Sequence, residues 1–185
     1  AFMAVEGFLH THNRLAYNMR LFFWAALMQT GNCILTLLFQ EKGIYLTHNI
    51  FLTLACGVLM LSLFFGFSEN GGAAKDRKRG LRIAAGVLVL LAGLLFSEGG
   101  MALLPFMLLT YLFRNQVFFR NLSYVVWAGI LFTMSIQIYP TLQDTLSMLL
   151  YNSDWLFISV LPLLHFYNGE RGSSSKWSKY FFYIF

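Results

Sequence analysis

Long apolar stretches alternate with short charged ones along this chain. Between the charges lie uncharged runs over 21–40, 43–68, 83–97, 99–113, 121–143 and 155–169, with shorter apolar runs at 1–9 and 180–185. A helix needs about 20 apolar residues to cross a bilayer, so these runs predict membrane-spanning helices. The third and fourth are short, yet joined into one helix Arg82 to Arg114 would extend roughly 48 Å at 1.5 Å per residue. That exceeds a hydrocarbon core of about 30 Å. Two short spans joined by a tight hairpin at Glu98, Gly99 and Gly100 are therefore expected, since paired glycines end helices. The pattern predicts an all-α, polytopic integral membrane helical bundle with six full transmembrane helices and two truncated ones at the chain ends. The whole of 1–185 is expected to form a single transmembrane domain, a fragment lacking a first helix and most of a last one.

Composition agrees with this pattern. Of the 185 residues 58% are hydrophobic and 11% charged, and mean hydropathy is +0.62, against roughly 25% charged residues in soluble domains. A soluble globular domain, a disordered chain, a disulfide scaffold and a conventional nucleic-acid binder are all excluded. Cys33 and Cys56 sit inside uncharged runs, where they are expected to pack as small hydrophobes.

The net charge of +5 is distributed as a topology signal. Arg14 and Arg20 fall in the first loop, Lys75, Arg77, Lys78, Arg79 and Arg82 in the third, Arg114 and Arg120 in the fifth, and Arg171, Lys176 and Lys179 in the seventh. Only Lys42 lies on the other side, with Glu41, Glu98, Asp144 and Asp154. The positive-inside rule then places the odd loops in the cytoplasm. The cluster Lys75 to Arg82 follows Gly71 and Gly72 but lacks P-loop spacing and a preceding strand, and reads as a topology anchor. Contact with lipid headgroups or with the phosphates of a soluble cosubstrate stays open.

Glu6 and His10 are four residues apart, a spacing that puts carboxylate and imidazole on one helix face. Such a pair suits proton transfer, because the carboxylate orients the ring and raises its basicity. The same spacing also fits two interfacial side chains snorkelling to water. Thr11, His12, Asn13, Arg14, Tyr17 and Arg20 continue a dense polar cluster. His10 and His12 fall on different helix faces with no nearby cysteine, so no metal site is expected. His48 and His165 read as isolated interfacial or packed histidines, and Glu98 as an outside-loop residue across the membrane from His10. In Asn168, Gly169, Glu170, Arg171 and Gly172, two glycines flank an acid and a base. Arg171 is placed either to meet a phosphate or carboxylate in a bidentate contact or to serve in a solvated, topology-setting turn.

The opening AFMAVEGFLHTHNRLAYNMRL resembles the segment of the TraX family that reads as an apolar helix, then E-G-F-x-H-T, then a Tyr and an Arg-Leu pair. Near the end, HFYNGERG followed by KYFFYIF is similar to that family's Y-N-G-E-R-G segment and the start of its last helix. Glu98-Gly99-Gly100 and TYLFRN loosely resemble a stretch between them. The family comprises multi-pass inner-membrane proteins whose namesake is associated with N-acetylation of a conjugative pilin, and it resembles the wider group of membrane acyltransferases. By that resemblance Glu6, Gly7, Phe8, His10, Thr11, Tyr17 and Arg20 match the first motif, and Asn168 to Gly172 the second. An Asp-His pair on the family's first helix would fall before Ala1, and the closing Pro and His of its last helix after Phe185.

The resemblance implies a bacterial inner-membrane acyltransferase using acetyl-CoA or another acyl-CoA as cosubstrate, without metal or nucleic acid. Its acceptor is an amine or hydroxyl of a pilin, a cell-envelope glycan or another envelope substrate. Catalytic roles are expected for His10, Glu6 and Glu170, and substrate-binding roles for Arg171, Asn168, Arg20, Tyr17 and Thr11. The alternatives are a transporter or flippase using the same polar cluster and a structural subunit packed against partner helices.

Overall fold

The computed structural model describes residues 1–43, 45, 48–66 and 75–167, with 75–78 given by helical backbone alone. Eight α-helices run in order: α1 (Phe2–His10), α2 (Arg14–Phe39), α3 (Ile50–Phe65), α4 (Lys75–Phe96), α5 (Gly100–Leu112), α6 (Val117–Ser135), α7 (Leu142–Tyr151) and α8 (Val160–His165). A 3-10 turn over Gln40–Lys42 extends α2, and a 3-10 helix over Ser153–Ser159 leads into α8. The described residues contain no strand.

Polar residues mark where helices begin. Asn13 Oδ1 accepts the Ala16 N–H at 2.9 Å at the start of α2, and Asn49 Oδ1 accepts the Leu52 N–H at 3.1 Å at the start of α3. Each cap satisfies a backbone donor that the helix itself leaves unpaired. Between α4 and α5 the chain reverses at Gly99, whose φ of +63° suits glycine. A Cβ on Gly100 would collide with the Gly93 carbonyl. The expected hairpin at 98–100 is thus built on both glycines.

Three helical stretches are long and apolar enough to cross a membrane, 14–42, 79–96 and 117–135. A fourth arises if α7 and the segment 153–165, bent by 62° at their junction, count as one span. In the apolar window of the first stretch only 6% of residues are buried within the protein, so nearly all of its apolar surface faces outward. Cys33 is exposed on this outward helix instead of packing inside, while Cys56 is half-buried, and both thiols are free.

Two boundaries differ from the sequence pattern. The run over 121–143 is helical only to Ser135, since α6 begins earlier at Val117 and the chain then runs without helix to Thr141. The run over 155–169 holds a 3-10 helix and the six-residue α8, because Ser153 and Asp154 open a tighter turn that hydrophobicity alone does not register.

The core forms around two shorter apolar helices, α3 of 16 residues and α5 of 13. α5 buries Ala102, Leu104, Phe106, Met107, Thr110 and Tyr111, and it packs against α1, α3, α4 and α6. α1 contributes Phe2, Ala4, Val5 and Phe8, a helical stripe that closes the core beside α3 and α5. That seating fixes the direction in which the polar stripe of α1 faces.

Candidate functional site

On α1 the residues Phe2, Glu6 and His10 fall at successive four-residue intervals and so share a face. Glu6 Oε2 and His10 Nε2 lie 3.4 Å apart, with Glu6 mostly covered and the His10 side chain 80% exposed. The carboxylate is thus the anchored partner and the imidazole the one that meets solvent. The Phe2 ring is met edge-on by Tyr167 at 5.4 Å and by the Arg120 guanidinium at 5.6 Å. Tyr167 lies just past α8, and its phenol is pushed above the usual tyrosine range, first by loss of solvent and then by the Glu6 carboxylate. Residues 2, 6, 10, 120 and 167 therefore form one neighbourhood.

The helix ends at Thr11, whose N–H bonds the Gly7 carbonyl at 3.0 Å. From there the chain enters an open cavity of about 480 Å³ lined by Thr11, His12, Asn13, Arg14 and Gly66. Its walls are the turn between α1 and α2 and the end of α3. Arg14 spans them: Nη1 donates to the Gly66 carbonyl at 3.2 Å, and the guanidinium lies 4.9 Å from the centre of the Phe8 ring. The cavity also adjoins the start of a 26-residue helix, where unpaired N–H groups favour anions.

Arg14 belongs to a cationic end of the bundle. Phe8 lies 5.9 Å from Tyr111, and the Arg114 guanidinium lies 4.6 Å from the Tyr111 ring while donating to the Tyr111 carbonyl at 3.3 Å. Arg14, Arg114 and Arg120 each rest on an aromatic face. No carboxylate among the described residues pairs with any of the three. Planar guanidiniums held in this way have the geometry to meet phosphate or carboxylate.

Of the residues singled out from sequence, Glu6, His10, Thr11 and Tyr17 come together around the α1–α2 turn. Tyr17 serves packing as well: its hydroxyl donates to the Ala4 carbonyl at 3.3 Å and lies over Gly7. Arg20 stands exposed on α2, well beyond Arg14, and does not line the cavity. Asn168, Gly169, Glu170, Arg171 and Gly172 lie outside the described residues, as do the side chains of Lys75, Arg77 and Lys78. Sequence reasoning assigned no site role to Arg14, Arg114, Arg120 or Tyr167, though the charge pattern had already put the three arginines on one side. It also passed over Asn18, one turn beyond Arg14, which is buried with Oδ1 unpaired among the described residues.

His48 is not isolated: its Nδ1 pairs with Glu98 Oε1. The contact joins the loop before α3 to the α4–α5 turn, at the end of the bundle away from Gly66 and Arg14.

Comparison of the chain with protein-family models, with curated proteins and with solved structures returns no match.

Proposed function

We propose that this protein is an integral-membrane acyltransferase of the bacterial inner membrane, moving an acyl group from acetyl-CoA or another acyl-CoA to an amine or hydroxyl of an envelope substrate. The observation that carries this reading is the continuity of the Glu6–His10 pair with the Arg14 cavity through Thr11 and His12. One side of the turn can move a proton, and the other can hold an anion. Coenzyme A offers phosphates beside a reactive thioester, a chemistry that fits both sides at once.

In the proposed reaction Glu6 holds His10 Nε2 and leaves Nδ1 to accept the acceptor's proton. The acceptor nitrogen or oxygen bonds to the thioester carbonyl carbon, the C–S bond breaks, and the departing thiolate takes the proton back from His10. Arg14 and the first turn of α2 hold the phosphates, with Arg114 and Arg120 adding to the field. Glu170 keeps the catalytic role, and Arg171 and Asn168 the substrate-binding roles, that the family resemblance implies for them. The resemblance of EGFLHT and YNGERG to the TraX family supports the same activity.

In this proposal the chain crosses the bilayer six times, with α3 and α5 as short crossings. The arginine-rich end faces the cytoplasm, where acyl-CoA is made. A transporter or flippase is the second reading, favoured by the 62° break between α7 and 153–165, since interrupted helices often line transport sites.

The test is transfer of labelled acetyl from acetyl-CoA to envelope material by the protein reconstituted in liposomes. Label is expected with the native sequence, with His10→Ala lowering the rate about 10²–10⁴-fold, the usual worth of general acid–base catalysis. No transfer from any of several acyl-CoAs by folded protein would overturn the reading. Solute movement without thioester consumption would select the second one.

A further inference from the structure

At the other end of the bundle, buried polar side chains converge on two residues. Asn32 of α2 donates from Nδ2 to the His48 carbonyl at 2.7 Å, and Thr53 of α3, fully buried, donates from Oγ1 to the Glu98 carbonyl at 2.7 Å. Between them Asn49 donates from Nδ2 to the Ala25 carbonyl at 3.0 Å and to Gln29 Oε1 at 3.2 Å, tying the start of α3 to α2. Polar groups buried in a membrane protein are costly unless paired. Asn32, Asn49 and Thr53 are each under a tenth exposed, and their bonds fix the backbone of His48, its neighbour and Glu98. What this network presents to solvent is the His48–Glu98 pair, with side chains 73% and 40% exposed.

The atoms in contact are Nδ1 of His48 and Oε1 of Glu98. A carboxylate on Nδ1 holds the imidazole proton there and leaves the Nε2 lone pair free. The second carboxylate oxygen is a further acceptor. The pair therefore offers acceptors and a negative charge but no free donor. It suits a ligand that brings both hydrogens and positive charge. An alcohol brings hydrogens without charge, whereas an ammonium satisfies both conditions. The surrounding sequence agrees, since Glu41, Asp144 and Asp154 lie in the loops assigned to this side with Lys42 as their one cation.

We propose that His48 and Glu98 form a site that binds a primary ammonium arriving from the face opposite the arginines. The ammonium donates one N–H to Glu98 and another to His48 Nε2. The ligand keeps its charge, so Glu98 meets it as an ion pair and His48 Nε2 as a hydrogen-bond acceptor. The inference stands apart from the acyl-transfer reading, since binding here needs no acyl donor.

The experiment is a titration of the whole protein in lipid nanodiscs, with ¹⁵N-labelled histidine, using ethylammonium chloride against ethanol and sodium chloride as controls. A saturable shift of the His48 ring nitrogens is expected with ethylammonium alone. Glu98→Gln should weaken binding at least about tenfold, the loss expected for a hydrogen bond to a charged group, and Glu98→Asp should restore part of it. His10→Ala should bind as the native protein does, which separates this site from the one at the arginine end. Equal responses to ethanol or sodium chloride, or a response unchanged in Glu98→Gln, would overturn the proposal. Should Glu98→Gln lose its helical spectrum, calorimetric titration of His48→Gln decides instead, with undiminished binding counting against the site.

Discussion

Tyr17 occupies the space that a side chain on Gly7 would need: a Cβ there would lie 2.7 Å from the Tyr17 hydroxyl. The turn between α1 and α2 closes through this contact, and it places Glu6 and His10 beside the cavity. Gly7→Ala should cost about 1–3 kcal/mol, the range for overpacking a filled site, and should lower activity by moving α1. Tyr17→Phe keeps the ring and loses only the bond to Ala4, so about 0.5–1.5 kcal/mol is expected. Thermal unfolding of both variants in detergent, beside transfer rates, checks the difference. Equal stability of Gly7→Ala and the native protein would contradict the packing described.

The two arginines of the first polar cluster should separate in kinetics. Arg14 lines the cavity and Arg20 does not, so Arg14→Ala should raise KM for acetyl-CoA about tenfold or more, as expected for a lost charge-assisted hydrogen bond. Arg14→Lys should recover part of this, while Arg20→Ala should leave KM within about twofold. The reverse order would move the donor site away from the α1–α2 turn.

Tyr167 reports on the approach of the segment after α8 to α1. Its phenol is raised above the ordinary value of 10.0, by loss of solvent first and the Glu6 charge second. The raised value favours the neutral phenol in the folded protein. Its contribution to stability is therefore complete below the unfolded tyrosine range and is lost as pH rises through the higher folded value. With ¹³C-labelled tyrosine, Tyr167 should titrate later than a solvent-exposed tyrosine, and Glu6→Gln should bring it earlier. A titration indifferent to Glu6→Gln would place Tyr167 elsewhere.

Thr110 and Tyr124 share a buried hydroxyl contact of 2.6 Å between α5 and α6, and Thr110 also bonds the Phe106 carbonyl at 2.6 Å. Tyr124→Phe removes one bond and leaves Thr110 its carbonyl partner, at a cost of about 0.5–1.5 kcal/mol. Thr110→Val strands the Tyr124 hydroxyl in the core and should cost more, about 1–3 kcal/mol. Unfolding in detergent should rank the two variants in that order.

Hydropathy alone revealed the helical character of the chain, and the glycines at 99 and 100 marked the α4–α5 turn. The Glu6–His10 pair was equally legible, because a four-residue interval on a helix is a local geometric fact. His48 and Glu98 were not legible, since 50 residues separate them and no local rule joins a loop to a distant turn. The charge alternation had nonetheless put both loops on one face, and Asn32, Asn49 and Thr53 were polar residues inside apolar runs without an evident reason. The arginine seats were hidden in the same way: sequence shows Arg14 and Phe8, but only packing brings ring and guanidinium together. The break at 151–153 was missed because an apolar count takes no account of the 3-10 turn that Ser153 and Asp154 begin.

The short helices at the centre also set a distance. At 1.5 Å per residue α3 extends about 24 Å and α5 about 20 Å, whereas the hydrocarbon layer is about 30 Å thick. Longer helices, α2, α4 and α6, stand beside them. The end of α3 forms a wall of the Arg14 cavity, and the turn into α5 carries Glu98. Each site therefore sits where a short helix stops beside a longer one, and the length of α3 and α5 sets how far apart the two sites stand.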